Sequence, residues 1–115
     1  MQFERDGEIV LCDVIACAAP NKTVALKYCG NVVTEKTNLM ELQKRILFVL
    51  NIAAKNNVDT LILGAYGCGV FGQSPIEVAK VFKKLLSVYR PCQIIFAIPQ
   101  NDSNKNFEVF QDVFK

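Results

Sequence analysis

The sequence predicts an α/β fold, with helices layered on a mostly parallel sheet and joined by right-handed crossovers. Three observations carry this expectation. Short runs rich in β-branched residues alternate with longer stretches of three- and four-residue apolar period. The run DTLIL at 59–63 is almost continuously apolar, as a buried parallel strand is. A glycine-rich stretch then leads directly into a helix with a clear start signal. The predicted order is strand, helix, strand, helix, strand, helix.

Glu8 to Cys17 (EIVLCDVIAC) reads as the first strand, closing in a turn at Ala18-Ala19-Pro20-Asn21. Residues 20–36 show no clear period; they read as a loop, with a short strand at Val32-Val33. Thr37 to Asn56 is the clearest helix, with Thr37 as its cap and Glu41 in its first turn. Leu39, Leu42, Ile46, Val49 or Leu50, and Ala53 form its inner stripe, and Leu47, Phe48 and Ile52 widen it. A helix with so wide a stripe is expected to be covered on more than one side. Asn56-Asn57 ends it.

After the strand Asp59–Leu63, Ser74, Pro75 and Glu77 form a capping box with proline at the first helical position. Ile76, Ala79, Phe82, Leu85 or Leu86, and Tyr89 are the expected inner face. Pro91 stops this helix and Gln93–Ile98 is the third strand. Asp102 or Ser103 is expected to cap a last helix with Phe107, Phe110 and Phe114 on one face.

Composition narrows the chemistry. At 115 residues the chain makes one domain, 1–115, and 51% hydrophobic residues exclude a disordered one. No apolar run reaches the roughly 18 residues that span a bilayer, and the charged N-terminus lacks a signal-peptide pattern. A net charge of +2, with scattered lysines, argues against a nucleic-acid partner. The five cysteines form no C-x-x-C pair and are odd in number, which fits reduced thiols and a cytoplasmic setting. With no histidine there is no Ser-His or Cys-His dyad and no His-containing zinc site. No metal or cofactor is expected.

The candidate site is Gly64-Ala65-Tyr66-Gly67-Cys68-Gly69-Val70-Phe71-Gly72, with four glycines in nine residues between a strand and a helix. Glycines let backbone N–H groups approach a ligand closely, and the helix opening at Ser74 adds a positive end. A diphosphate can be held this way without lysine. Gln73-Ser74 replaces the Lys-Ser/Thr of a Walker loop, so kinase or ATPase chemistry is disfavoured. Gly67-x-Gly69-x-x-Gly72 matches the dinucleotide fingerprint, but no acid lies about 20 residues on, which leaves an NAD-binding subunit a distant alternative. A tight glycine turn with no ligand is the plainer rival. Cys68 has no histidine to activate it and is expected to pack beneath the loop.

At this loop the sequence resembles the macrodomain superfamily, specifically the microbial-type poly(ADP-ribose) glycohydrolases. Three blocks carry the resemblance: Asp13-Val14-Ile15 with Ala18-Ala19-Pro20-Asn21; Leu63 to Gly72 running into Pro75; and Ile95-Phe96-Ala97-Ile98 with Asn106-Phe107 and Phe110. The resemblance implies a three-layer α/β/α sandwich with a mostly parallel sheet, truncated here on its N-terminal side. It implies an ADP-ribose cleft in which Gly64–Gly72 wraps the diphosphate and distal ribose. Tyr66 and Phe71 would shape the ribose pocket, Asn21 would border the cleft, and Ile98 to Gln100 would lie near the adenine. Phe71 as plain core and Asn21 as a turn residue stay open beside these roles.

The family's upstream triple-glycine and Gln-Glu-Glu segment, which carries its general acid, has no counterpart among the six glutamates here. The resemblance therefore implies a module binding ADP-ribose or a related nucleotide diphosphate, with no catalytic residue carried over. The rival enzyme reading takes its acid from a partner chain or from Asp13. A third reading is a non-catalytic protein kept for protein contacts. Without the upstream strands the sheet would expose an edge, so a homodimer or a partner chain is expected to cover it.

Overall fold

The computed structural model describes residues 1–29 and 31–115; Gly30, part of the expected loop, lies outside them. Eight elements follow in order: β1 (Gln2–Arg5), β2 (Glu8–Leu11), α1 (Lys22–Cys29), α2 (Asn31–Lys55), β3 (Thr60–Leu63), α3 (Pro75–Val88), β4 (Gln93–Phe96) and α4 (Asn106–Val113). Strand, helix and crossover alternate from β3 to α4 as expected. The N-terminal third departs from expectation.

β1 and β2 form an antiparallel hairpin in the register Phe3↔Val10 and Arg5↔Glu8, turned by Asp6-Gly7. Both turn residues have positive φ, at 51° and 80°, as a two-residue hairpin turn of matching twist requires. The strand expected over Glu8–Cys17 thus ends at Leu11. Cys12 still pairs with Met1, its N–H donating to Met1 O at 2.9 Å and the Met1 ammonium to Cys12 O at 2.6 Å. From Asp13 the chain runs without ladder pairing, although Ile15 and Cys17 are partly buried in strand-like alternation. Every residue of the hairpin is exposed.

Within the expected loop over 20–36, Lys22–Cys29 and the residues from Asn31 onward are helical instead. Asn21 Oδ1 accepts from the Val24 N–H at 3.1 Å and so caps α1. Val32-Val33 belongs to α2, not to a strand, and α2 begins six residues before Thr37, which is therefore an interior residue and no cap. The pattern misleads because Val24, Leu26 and Tyr28 face solvent, so α1 carries no apolar stripe. The far end of α2 follows the sequence. Asn57 has φ +53°, Val58 N–H donates to Ala53 O and Asn57 N–H to Ala54 O, closing a Schellman motif.

The core joins Leu42, Ile46, Leu50 and Ala53 of α2 to Leu61, to Val78, Ala79, Val81, Phe82 and Leu86 of α3, and to Phe110. α2 buries the expected row at i, i+4 and i+8, but Leu39, Leu47 and Phe48 are exposed, so its wide stripe is not covered on a second side among the described residues. α3 starts as predicted: Pro75 is the first helical residue and Ser74 Oγ accepts from Glu77 N–H. Its inner face is rotated from expectation, with Val78 and Val81 buried and Ile76 half exposed.

β3 and β4 pair in parallel with Leu61↔Ile94 and Ile62↔Ile95. Leu61, Leu63, Ile94 and Phe96 face the core, while Ile62 and Ile95 on the other face are exposed. The described residues form two two-stranded sheets rather than one larger parallel sheet. α4 is not capped by Asp102 or Ser103. Asn101 Oδ1 accepts from the N–H groups of Ser103 and Asn104, and Asn104 Oδ1 accepts from Asn106 N–H. Phe82, Phe96, Phe110 and Phe114 stack tilted or edge-on at 4.9–6.5 Å between ring centroids, which fixes α3 and α4 on β4. Among the described residues no helix is long and apolar enough to cross a membrane.

Candidate functional site

The parallel pairing of β3 and β4 brings their C-terminal ends together, and Ala97 N–H donates to Leu63 O at 2.8 Å just beyond the ladder. Gly64–Gly72 leaves β3 at this end, where open α/β sheets bind ligands. The loop holds itself by Tyr66 N–H to Gly64 O, Cys68 N–H to Ala65 O and Gly72 N–H to Gly69 O, all 3.0–3.1 Å. Its glycines divide into two kinds. Gly67 and Gly72 have φ of +73° and +74°, and a Cβ on either would collide with neighbours. Gly64 and Gly69 face open space.

The loop is clamped onto α1. Phe71 O accepts from the N–H groups of Lys22 and Thr23 at 2.8 and 3.1 Å, and the Thr23 hydroxyl donates to Val70 O at 3.0 Å. In a trans peptide the N–H points opposite to the preceding C=O. With Gly69 O turned to Gly72 and Val70 O turned to Thr23, the N–H groups of Val70 and Phe71 face the other way. Among the described residues Gly69, Val70 and Phe71 donate no main-chain hydrogen bond. Three successive donors of this kind suit an anion.

Beside the loop lies a cavity of about 270 Å³, lined by Ile15, Cys17, Leu63, Gly64, Ala65 and Tyr66 together with α2 and α3 side chains. None of its lining residues is a carboxylate. Tyr66 Oη lies 3.5 Å from Cys17 Sγ, and burial, then this contact, pushes its phenol well above the usual range. Burial pushes the Cys68 thiol up to about 11, consistent with the expected packing role. The folded state keeps a proton that the unfolded chain releases near pH 9, so stability falls as pH rises from there through about 11. We expect Cys68 to resist iodoacetamide at pH 7.5 and to react quickly once urea unfolds the chain; equal rates would contradict its burial.

The other expected residues gather at the same end. Asn21 adjoins the Lys22–Thr23 clamp, with its Oδ1 engaged in capping α1. Ile98 follows Ala97 and borders a second cavity of about 220 Å³ walled by Phe96, Phe107, Phe110 and Phe114. Asp13, the local acid of the enzyme reading, is exposed and does not line the first cavity. Two residues that no motif marked, Gln73 and Asn38, prove to be buried at the base of the loop. Arg45 is also new: its Nη1 donates to Ala18 O at 2.8 Å and its Nε to Glu41, which fixes the segment before Pro20.

Solved structures share the overall fold. A poly(ADP-ribose) glycohydrolase from Deinococcus radiodurans in complex with ADP-ribose matches with a TM-score of 0.76 and 29% identity over 84% of this chain. The chain resembles the bacterial poly(ADP-ribose) glycohydrolases in structure. The enzyme from Thermomonospora curvata also matches, with a TM-score of 0.70 and 29% identity over 84% of the chain. This glycohydrolase-like chain spans 40% of the length of the Deinococcus protein and 36% of the Thermomonospora protein. No family model and no curated protein matches it. The resemblance seen in the sequence thus holds at the level of an α/β fold like that of the glycohydrolases, with the sheet limited to the strands described above.

Proposed function

We propose that this glycohydrolase-like chain binds ADP-ribose or a related nucleotide diphosphate, with the diphosphate on the Gly69–Phe71 N–H groups. The observation that carries the reading is that row of three main-chain donors without partners, beside two glycines open to space. The Deinococcus and Thermomonospora relatives lend support, the former in complex with ADP-ribose. In this reading Tyr66 and Phe71 border the ribose, Asn21 the near wall and Ile98 the base end. The absence of a carboxylate from the cavity lining favours binding over turnover by these residues alone. The second reading, hydrolysis, needs an acid from outside this lining.

Calorimetric titration with ADP-ribose tests the reading. Gly69 has no positive φ and a side chain there meets open space, so Gly69→Glu leaves the fold intact and sets a carboxylate against the diphosphate. The parent chain is expected to give heat and the variant at least tenfold weaker binding. No heat from the parent, or equal binding by both, would sink the reading.

The expected partner belongs to the same proposal. Exposed area is 8093 Å², against roughly 6,300 Å² for a compact monomer of this size. Phe3, Ile9, Val10, Leu11 and Val14 make up part of the excess. We infer that a second copy of this chain covers these side chains. Sedimentation velocity on the chain alone is expected to show self-association above micromolar concentration; a sharp monomer boundary removes the homodimer.

A further inference from the structure

We propose that Gln73 and Asn38 are positioning residues whose buried amides set the distance between the two walls of the cleft. The inference rests on the ADP-ribose reading and deepens it. Gln73 is 3% exposed and Asn38 6%. Gln73 Nε2 donates to Pro20 O at 2.8 Å and to Asn38 Oδ1 at 2.7 Å, and Asn38 Nδ2 returns a bond to Gln73 Oε1 at 2.9 Å. Both donors of the Gln73 amide are thereby used, so it has no alternative orientation that keeps its partners. Its main-chain N–H donates to Gly67 O at 2.9 Å, and its Cγ packs against Gly67.

One residue therefore touches three segments: the loop at Gly67, the wall at Pro20 beside Asn21, and α2 through Asn38. The clamp on α1 fixes the loop's other end at Val70 and Phe71. Between these anchors the Gly69–Phe71 N–H groups are held without touching either amide. A change at Gln73 reaches the ligand only through the position of that row.

The design separates stability from positioning. Removing one amide leaves its partner buried and unsatisfied, which costs stability, whereas replacing both by apolar groups of similar shape restores much of it. The link from Gln73 to Pro20 is lost in Gln73→Leu and in the double variant, and kept in Asn38→Leu. Gln73→Leu, Asn38→Leu and the double variant would be compared with the parent by thermal melting and by calorimetry with ADP-ribose. Each single variant should melt lower, and Gln73→Leu should bind at least tenfold more weakly. The double variant should recover most of the melting temperature while its affinity stays at least tenfold down, and it carries the test where a single variant fails to fold.

Affinity that returns together with the melting temperature, or parent-like binding by Gln73→Leu, overturns the proposal. A parent chain that gives no heat overturns the ADP-ribose reading instead. The positioning claim is then decided by hydrogen exchange at Gly69–Phe71, which should be at least tenfold faster in the double variant than in the parent. Equal exchange rejects it.

Discussion

Gly67→Ala is expected to lower the melting temperature by at least about 8 °C in a thermal scan. A non-glycine residue held at φ +73° costs about 1–3 kcal/mol. The added Cβ would also lie 2.7 Å from both Ala19 Cβ and Gln73 Cγ, and overpacking of that kind costs a further ~1–3 kcal/mol. For a domain of this size each kcal/mol moves the midpoint by ~4 °C. The neighbours cannot give way cheaply, because Ala19 is buried beside Pro20 and Gln73 is held by three hydrogen bonds. Gly69→Glu, two residues on, should melt like the parent. Equal melting of the two variants would show that the loop is not held in this conformation.

Phe82→Ala should lower stability by about 3–5 kcal/mol, read as a fall in urea midpoint with an unchanged slope. Phe82 is 2% exposed and meets Phe96 edge-on at 5.2 Å and Phe110 at 6.5 Å. It is the side chain that α3 contributes to the junction of β4 and α4, and it also lines the cavity beside the loop. Loss of this ring is large against the ~5–15 kcal/mol that hold a typical domain. A loss below about 1 kcal/mol would mean that α4 packs elsewhere.

The elements legible in the sequence are those with local signals. Ser74-Pro75 with Glu77 marks a helix start within four residues, and Asn57 marks a helix end by accepting a left-handed backbone. The glycine loop was legible for the same reason, since positive φ at Gly67 and Gly72 is a property of single residues. Asp6-Gly7 is an equally local hairpin signal and marks the turn that leads into the strand beginning at Glu8. Asn21 before α1 was likewise readable as a cap. α1 itself was not, because its apolar side chains face solvent and leave no period to find.

At the site, sequence patterns pointed to the loop but not to what holds it. Gln73 and Asn38 are 35 residues apart and each is a common surface residue by type. Their role exists only once α2 and the loop are packed together. Arg45 is similar: an i,i+4 partner for Glu41 on paper, it also reaches Ala18 O across the fold.

The clamp at Gln73 has a kinetic meaning. The bonds that shape the loop close chain separations of 53 residues to Pro20, 49 from Cys17 to Tyr66 and 47 from Thr23 to Val70. Such long-range closures carry most of the chain entropy cost and reward it only when both ends have found their places. Helices α2 and α3 and the hairpin can form from neighbours in sequence; the loop cannot. It should be among the last parts to order during folding, so the segment assigned to the ligand takes its final shape only after the helices around it have docked.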